Sequence, residues 1–178
     1  MTLSLVERIR AVCDHLDEAD LSWALGGALA LAYATEEPRA TRDIDVNVFV
    51  PAADAARVFD ALPAGVRHTD ADLRAAAEHD QVRLWWDDTP VDVFFSADPF
   101  HVEVARRCRS VPFAGRTIRV LSAEDLAVFK AMFDRPKDWV DIATMHESRA
   151  IDLHLAADRL ADVLGHDDER ITRLRHLT

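Results

Sequence analysis

The chain has 178 residues, of which 49% are hydrophobic and 30% charged, which favours a folded core over a disordered chain. Its 21 Lys and Arg residues against 32 Asp and Glu residues give a formal net charge of −11, which disfavours a protein whose whole surface binds nucleic acid. Two cysteines are too few for a disulfide framework or a cysteine-based zinc site. With no long apolar run and a charged N-terminus, we expect a soluble cytoplasmic protein without a membrane span.

The apolar spacing predicts a mixed α/β half followed by a helical half. In the first half, helices are expected at 4–19, 28–34, 52–62 and 70–79, and strands at 23–25, 44–50, 81–86, 91–95, 111–113 and 117–121. A hairpin turn is expected at 87–90, and Ser122 is expected to cap the first helix of the second half. This order predicts an α+β fold, with a core over 1–121 and a helical C-terminal subdomain over 122–178.

Three acidic residues on two predicted strands indicate a cation site. Strand alternation places Asp43, Asp45 and Asn47 on one face of strand 44–50, opposite its apolar residues. The two carboxylates, about 7 Å apart along the strand, repel each other unless a cation lies between them, and Mg²⁺ binds such oxygen ligands. Asp92 lies in the apolar strand 91–95, where a carboxylate is costly to bury unless it is paired or binds a metal. Solvated acidic residues on outward-facing strand positions remain the alternative.

Two further features are typical of phosphate binding. Gly26 and Gly27 end the first strand and begin a helix, and such a turn lets backbone N–H groups approach a phosphate at the positive end of the helix. Lys130 and Lys137 are the chain's two lysines, and a compact ammonium charge suits phosphate oxygens. A simple tight turn and exposed helix residues are the alternatives.

The order of these motifs resembles the nucleotidyltransferase superfamily with the DNA polymerase β-like fold. The run Arg39-x-Thr41-Arg42-Asp43-Ile44-Asp45 and the segment 122–141, with Lys130 and Lys137-Asp138-x-x-Asp141, resemble the AbiEii and MenT type toxins of toxin–antitoxin systems. The resemblance covers about 23–145 and implies a mixed sheet flanked by helices. One departure is Ala28, which stands where the family usually has Ser or Thr.

The resemblance also implies roles for particular residues. Asp43, Asp45 and Asp92 would hold two Mg²⁺ or Mn²⁺ ions that position an NTP, with Asp92 as a ligand or as the general base. Asp138 or Asp141 would orient nearby basic groups. The expected nucleotide-binding residues are Gly26, Gly27, Thr41, Lys130 and Lys137, of which Lys130 would contact the triphosphate and count among the catalytic residues.

The acceptor of the nucleotide is open to more than one interpretation. No Asp or Glu lies between Val104 and Ala123, and the five arginines there predict a patch for an RNA backbone, or else a solvated helix end and hairpin. These arginines are Arg106, Arg107, Arg109, Arg116 and Arg119.

The resemblance implies transfer of NMP from an NTP such as ATP or CTP to the 3′ end of tRNA, by the toxin of a toxin–antitoxin pair with a cognate antitoxin. An aminoglycoside or lincosamide nucleotidyltransferase is the main alternative, because an acidic protein attracts cationic drugs. A non-catalytic nucleotide-binding relic, or a non-enzymatic partner within a toxin–antitoxin pair, is the third.

Overall fold

The structure, a computed structural model, describes residues 3–177. Its helices are α1 (Leu5–Glu18), α2 (Gly27–Thr35), α3 (Ala55–Ala61), α4 (Asp70–His79), α5 (Phe100–Arg107), α6 (Ala123–Phe133), α7 (Pro136–Glu147), α8 (Leu153–Leu164) and α9 (Glu169–Arg175). Its strands are β1 (Trp23–Leu25), β2 (Ile44–Val48), β3 (Val66–Arg67), β4 (Gln81–Trp86), β5 (Thr89–Phe94), β6 (Arg109–Phe113) and β7 (Arg116–Val120). No helix within 3–177 is long and apolar enough to cross a bilayer.

The strands form one sheet in the order β3-β4-β5-β2-β1-β7-β6. The sheet is mixed, because β2 pairs with β5 and β1 with β7 in parallel, whereas the other neighbours are antiparallel. The predicted mixed sheet flanked by helices is confirmed.

The register of the central strands brings distant polar residues into one row. Asp45 on β2 lies opposite Asp92 on β5, and Asp92 in turn lies opposite Arg83 on β4. Residues opposite one another on neighbouring strands project to the same face of the sheet. The three side chains therefore lie side by side across the sheet.

One continuous apolar core joins the sheet to the helices. It contains Leu16 of α1, Leu31 of α2, Val93 of β5 and Ile142 of α7, all with at most 1% of their surface exposed. Helix α6 packs against α2 as well as against α7 and α8. The division of the chain at residue 121 stays a prediction.

Several element boundaries differ from the sequence-based expectation. The hairpin turn is shorter than predicted, because Thr89 and Pro90 already belong to β5. The buried Arg8 side chain explains this: it donates hydrogen bonds to the Trp86 carbonyl at 2.8 Å and to Thr89 Oγ1 at 2.5 Å, which holds the hairpin ends together.

Two short elements, β3 and α5, are flanked by polar residues and were not predicted from the sequence. The strand β3 has two residues and the helix α5 has eight. The predicted helix 52–62 is a 3₁₀ turn at Ala52–Asp54 followed by α3, and β2 ends at Val48 rather than at residue 50.

Candidate active site

Three carboxylates meet at the centre of the sheet. Asp43 directly precedes β2, Asp45 lies within it, and Asp92 lies on β5. One ligand atom of each lies within 4.8 Å of the others. A set of carboxylate oxygens at this spacing fits a hard divalent cation such as Mg²⁺ or Mn²⁺.

The electrostatics of this triad disfavour three negative charges without a cation. Burial raises the pKa of Asp45 to about 6, and the charges of Asp43 and Asp92 act in the same direction. Lys130 and Lys137 oppose this shift but do not cancel it. A bound divalent cation would offset the repulsion that raises the pKa.

Two of the three carboxylates are held by a neighbouring side chain. Thr41 Oγ1 donates to Asp43 Oδ1 at 2.6 Å and accepts the Asp43 backbone N–H at 3.3 Å. Arg83 donates from Nε to Asp92 Oδ1 and from Nη2 to Asp92 Oδ2, both at 2.7 Å. Sequence reasoning missed Arg83, although it lies in the predicted strand immediately before that of Asp92.

The diglycine turn lies directly against the triad. Gly27 begins α2 with a positive φ of 51°, and a Cβ at this position would overlap Asp45 Oδ2. The Gly26 N–H donates to the Asp45 carbonyl at 2.9 Å, and no side chain within 3–177 caps α2. The N-terminal end of α2, with Gly26, Gly27 and Ala28, lines the same cleft as the triad. The backbone at this turn therefore offers N–H groups and a positive helix end to a phosphate.

A cluster of basic and acidic side chains, called the cation cluster below, lies across the cleft. It consists of Lys130 on α6, Asp138 and Asp141 on α7, Arg135 directly before α7, and Arg39 between α2 and β2. Lys130 Nζ lies 2.6 Å from Asp141 and 3.5 Å from Asp138. Arg135 pairs with Asp138 at 2.6 Å, and Arg39 pairs with Asp141 at 3.3 Å. The two aspartates thus hold Lys130 and two arginines that the sequence analysis did not single out as site residues.

The charges of this cluster are linked to one another. Burial acts to raise the pKa of Asp138, but hydrogen bonds from Arg135 and the charge of Lys130 outweigh burial and lower it. Lys137, one residue before Asp138, is exposed and lines the cleft.

The triad, the diglycine turn and the cation cluster share one cleft of about 770 Å³. Other parts of its wall are aromatic, with Phe94, Phe129 and Phe133, or acidic, with Asp72 and Asp80. A cleft of this size accommodates a small molecule the size of a nucleotide.

Three of the five arginines of the predicted RNA patch form ion pairs with carboxylates. Their partners come from elsewhere in the chain: Arg116 pairs with Asp14 and Asp17, and Arg107 with Asp125. Arg106 pairs with Glu103, and Arg119 donates to the Ala105 carbonyl. Arg109 pairs with Val120 in the sheet, but its side chain, alone of the five, has no hydrogen-bond or ion-pair partner within residues 3–177. The charge count over 104–123 omitted these carboxylates because they lie outside that stretch, and the RNA patch stays a prediction.

A family model that matches most of the chain identifies its family. A family model for the nucleotidyl transferase AbiEii toxins of type IV toxin–antitoxin systems matches residues 10–177. The chain belongs to the AbiEii family. The AbiEii match extends well beyond the triad and includes the helices that carry the cation cluster. A comparison with curated proteins gives no match.

Solved structures of other nucleotidyltransferases share the AbiEii chain's fold. The antibiotic-resistance factor ANT(2'')-Ia is 18% identical, with a TM-score of 0.56 over 96% of this chain and 88% of its own. The lincosamide antibiotic adenylyltransferase LnuA, with lincomycin bound, is 15% identical, with a TM-score of 0.56 over 82% of this chain and 98% of its own. An antigenic nucleotidyltransferase-like protein from Paracoccidioides brasiliensis is 15% identical, with a TM-score of 0.50 over 97% and 94%. These likenesses confirm the predicted nucleotidyltransferase fold.

Proposed function

We propose that this AbiEii-family protein transfers NMP from an NTP to an acceptor hydroxyl with the help of Mg²⁺ or Mn²⁺. The observation that carries the proposal is the triad: Asp43, Asp45 and Asp92 come from two parallel strands and offer ligand atoms within 4.8 Å of each other. The triad shares its cleft with the N-terminus of α2 and with Lys130, both suited to phosphate.

The triad, the diglycine turn and the charged residues of α6 and α7 have separate tasks in this reaction. Asp43, Asp45 and Asp92 would hold the metal, which when bound would neutralise charge on the phosphates and increase the acidity of the acceptor hydroxyl. Lys130, Lys137 and the backbone N–H groups of the diglycine turn bind the triphosphate. Asp138 and Asp141 keep Lys130 in place before the nucleotide arrives.

The reaction exchanges a phosphoanhydride bond of the NTP for a phosphoester bond to the acceptor. The acceptor oxygen attacks the α-phosphorus and forms a new P–O bond, while the bond between the α-phosphorus and the bridging oxygen breaks and pyrophosphate leaves. Asp92 serves as a ligand of the ion or as the base that takes the hydroxyl proton. Because the triphosphate is bound at several points, its α-phosphorus is oriented for in-line attack.

For the acceptor, we favour the 3′ end of tRNA, with the protein as a cytoplasmic toxin whose cognate antitoxin controls it. Membership of a type IV toxin–antitoxin family supports the toxin role. The paired arginines give the RNA little local positive charge, so contacts would come from Arg109 and from groups at the cleft such as Lys137.

A cationic antibiotic is the second candidate acceptor. Asp72 and Asp80 add negative charge to the cleft wall beyond the triad, which favours a positively charged small molecule. The fold shared with an antibiotic-resistance factor and a lincosamide adenylyltransferase supports the same candidate.

An Asp45→Asn variant tests the reaction. We expect nucleotide transfer to fall by more than about 100-fold, because even outer-sphere partners of metal ligands typically contribute 10- to 100-fold. The fold should be retained, because the negative charges of Asp43 and Asp92 repel an ionised Asp45, and the neutral Asn removes this repulsion. Asp60→Asn is the matched control, because Asp60 is an exposed aspartate outside the cleft. Unchanged turnover in Asp45→Asn with intact folding would refute the site assignment.

The acceptor is tested by incubating the protein with Mg²⁺ and α-³²P-labelled NTPs, first with total tRNA and then with aminoglycosides and lincosamides. Label on tRNA supports the toxin proposal, and label on a drug supports the second candidate. If no labelled product forms with any acceptor although the NTP binds, the protein is a non-catalytic nucleotide-binding relic or partner.

A further inference from the structure

Arg83 contacts the triad directly but has no role in the reaction described above. It lies directly opposite Asp92 in the β4–β5 pairing, and Asp92 lies directly opposite Asp45 in the β2–β5 pairing. The positive and negative groups thus form one row across three adjacent strands. Arg83 lines the cleft together with both aspartates.

The contact between Arg83 and Asp92 fixes the plane of the carboxylate. Both oxygens of Asp92 accept a hydrogen bond of 2.7 Å, one from Nε and one from Nη2. This two-point geometry matches the planar guanidinium to the planar carboxylate, which a single ammonium group cannot reproduce. The Asp92 side chain is 14% exposed and that of Arg83 is 53% exposed. The arginine is therefore the more exposed partner of this pair.

The same contact changes the charge of the metal site. Three carboxylates with ligand atoms within 4.8 Å repel each other, and one guanidinium beside them offsets one negative charge. The Thr41 hydroxyl donates a hydrogen bond that orients Asp43, and Arg83 orients Asp92 in the same way. A neighbouring positive charge also lowers the affinity of the site for a divalent cation.

We infer that Arg83 is a positioning residue of the transfer reaction. It fixes the orientation of Asp92, and its positive charge lowers the affinity of the triad for a divalent cation. The inference rests on the proposed function for its kinetic part. It assigns Arg83 no contact with the NTP or with the acceptor. Its effects are to align Asp92 and to reduce the negative charge of the triad.

Two substitutions separate these effects. Arg83→Lys keeps the charge but loses the two-point contact, whereas Arg83→Gln loses both. In Arg83→Gln, we expect Mn²⁺ to bind several-fold more tightly, because a positive charge beside the triad is gone. In Arg83→Lys, Mn²⁺ affinity should stay close to that of the wild type. Direct Mn²⁺ titration by electron paramagnetic resonance, in the absence of nucleotide, measures both affinities.

The kinetic readout addresses the alignment of Asp92. We expect kcat to fall about 10- to 100-fold in both variants, as for other outer-sphere partners of metal ligands. The KM for the NTP should stay unchanged, because Lys130 and the diglycine turn are untouched. Pyrophosphate release with total tRNA as the acceptor measures kcat and KM. Arg67→Gln is the control, because Arg67 is an exposed arginine of the neighbouring strand β3 outside the cleft.

The outcomes distinguish this inference from the proposed function. Unchanged or weaker Mn²⁺ binding in Arg83→Gln would overturn the inference, as would wild-type kcat in both folded variants. A general loss of folding is checked by circular dichroism and by the melting temperature of each variant. If wild-type protein transfers no nucleotide to any acceptor, the proposed function fails, whereas the Mn²⁺ titration still decides the effect of Arg83 on the triad.

Discussion

At the scale of single residues, Gly27 links the backbone of the chain to the chemistry of the cleft. Its positive φ of 51° is a conformation that side-chain-bearing residues rarely adopt, and the space where a Cβ would lie is taken by the Asp45 carboxylate. The residue therefore has two reasons to be glycine. One is the turn between β1 and α2, and the other is the close approach of Asp45.

A Gly27→Ala substitution should affect both the turn and the triad. The left-handed backbone costs about 1–2 kcal/mol of unfolding free energy, and displacement of Asp45 should reduce nucleotide transfer as strongly as Asp45→Asn does. Chemical denaturation and the transfer assay measure the two effects. Gly115→Ala is the control, because Gly115 also has a positive φ, of 83°, but open space around it. Comparable loss of transfer in both variants would contradict a specific clash with Asp45.

The sequence identifies the acidic residues of the site better than the basic ones. Strand alternation alone indicates that Asp43 and Asp45 share a face, because the side-chain period of a strand is two. Nothing in the local sequence pairs Arg83 with Asp92 or Arg39 with Asp141, since these partners are brought together by strand register and by helix packing.

At the scale of secondary-structure elements, Asp125 of α6 joins its own helix to α5 and α8. Its side chain is fully buried and accepts hydrogen bonds from Arg107 of α5 at 2.8 Å and from Arg159 of α8 at 3.0 Å. Ser122 Oγ donates to it at 2.8 Å and also caps α6, as predicted. The same helix α6 carries Lys130, so this network fixes the position of the cation cluster.

Asp125→Ala should destabilise the protein by about 3 kcal/mol, because removing one partner of a buried ion pair leaves the others unpaired. Thermal and chemical denaturation measure the loss, and we expect a lower affinity for NTP as α6 shifts. Arg106→Ala is the control, since its exposed pair with Glu103 is worth less than about 1 kcal/mol. Equal free energies of unfolding for the two variants would show that the buried ion pairs of Asp125 do not stabilise the fold.

At the scale of the whole molecule, the acidic residues behind the net charge of −11 serve different purposes. Part of the negative charge forms the triad, and another part, including Asp14, Asp17 and Asp125, pairs with the arginines of the predicted RNA patch. A sequence count treats these charges as independent. In the fold they are neighbours, which reduces the positive charge available to an RNA.

The stability of the whole molecule should decrease in alkaline solution through Cys13. Burial raises the pKa of this thiol from 9.0 to about 12, so the native state keeps a proton that the unfolded chain releases. The free energy of unfolding should therefore be unaffected by this group below pH 9 and fall as the pH rises from about 9 towards 12. The slope for one thiol is at most about 1.4 kcal/mol per pH unit.

Denaturation in guanidinium chloride at several pH values, for the wild type and for Cys13→Ala, measures this dependence. The variant lacks the thiol, so the alkaline decrease should be smaller in Cys13→Ala than in the wild type. Parallel curves for the two proteins would show that Cys13 does not contribute. Cys108, whose pKa burial raises to about 11, is present in both and cancels in the comparison.

The sequence by itself determined most of the elements and which acidic residues are candidate metal ligands. Periodicity is a local property, and it indicated the helices, the central strands and the alternation that places Asp45 opposite the apolar face of β2. The order of the diglycine, the two strand aspartates and Asp92 also indicated the nucleotidyltransferase family.

Only the tertiary structure decided which charges meet. The parallel pairing of β2 with β5 brings Asp45 and Asp92 together across 47 residues of sequence, and the β4–β5 register adds Arg83. The packing of α1 and α6 against other elements pairs Arg116 and Arg107 with distant carboxylates. Such contacts depend on strand order and helix packing, whose partners are remote along the chain, and for that reason no local pattern encodes them.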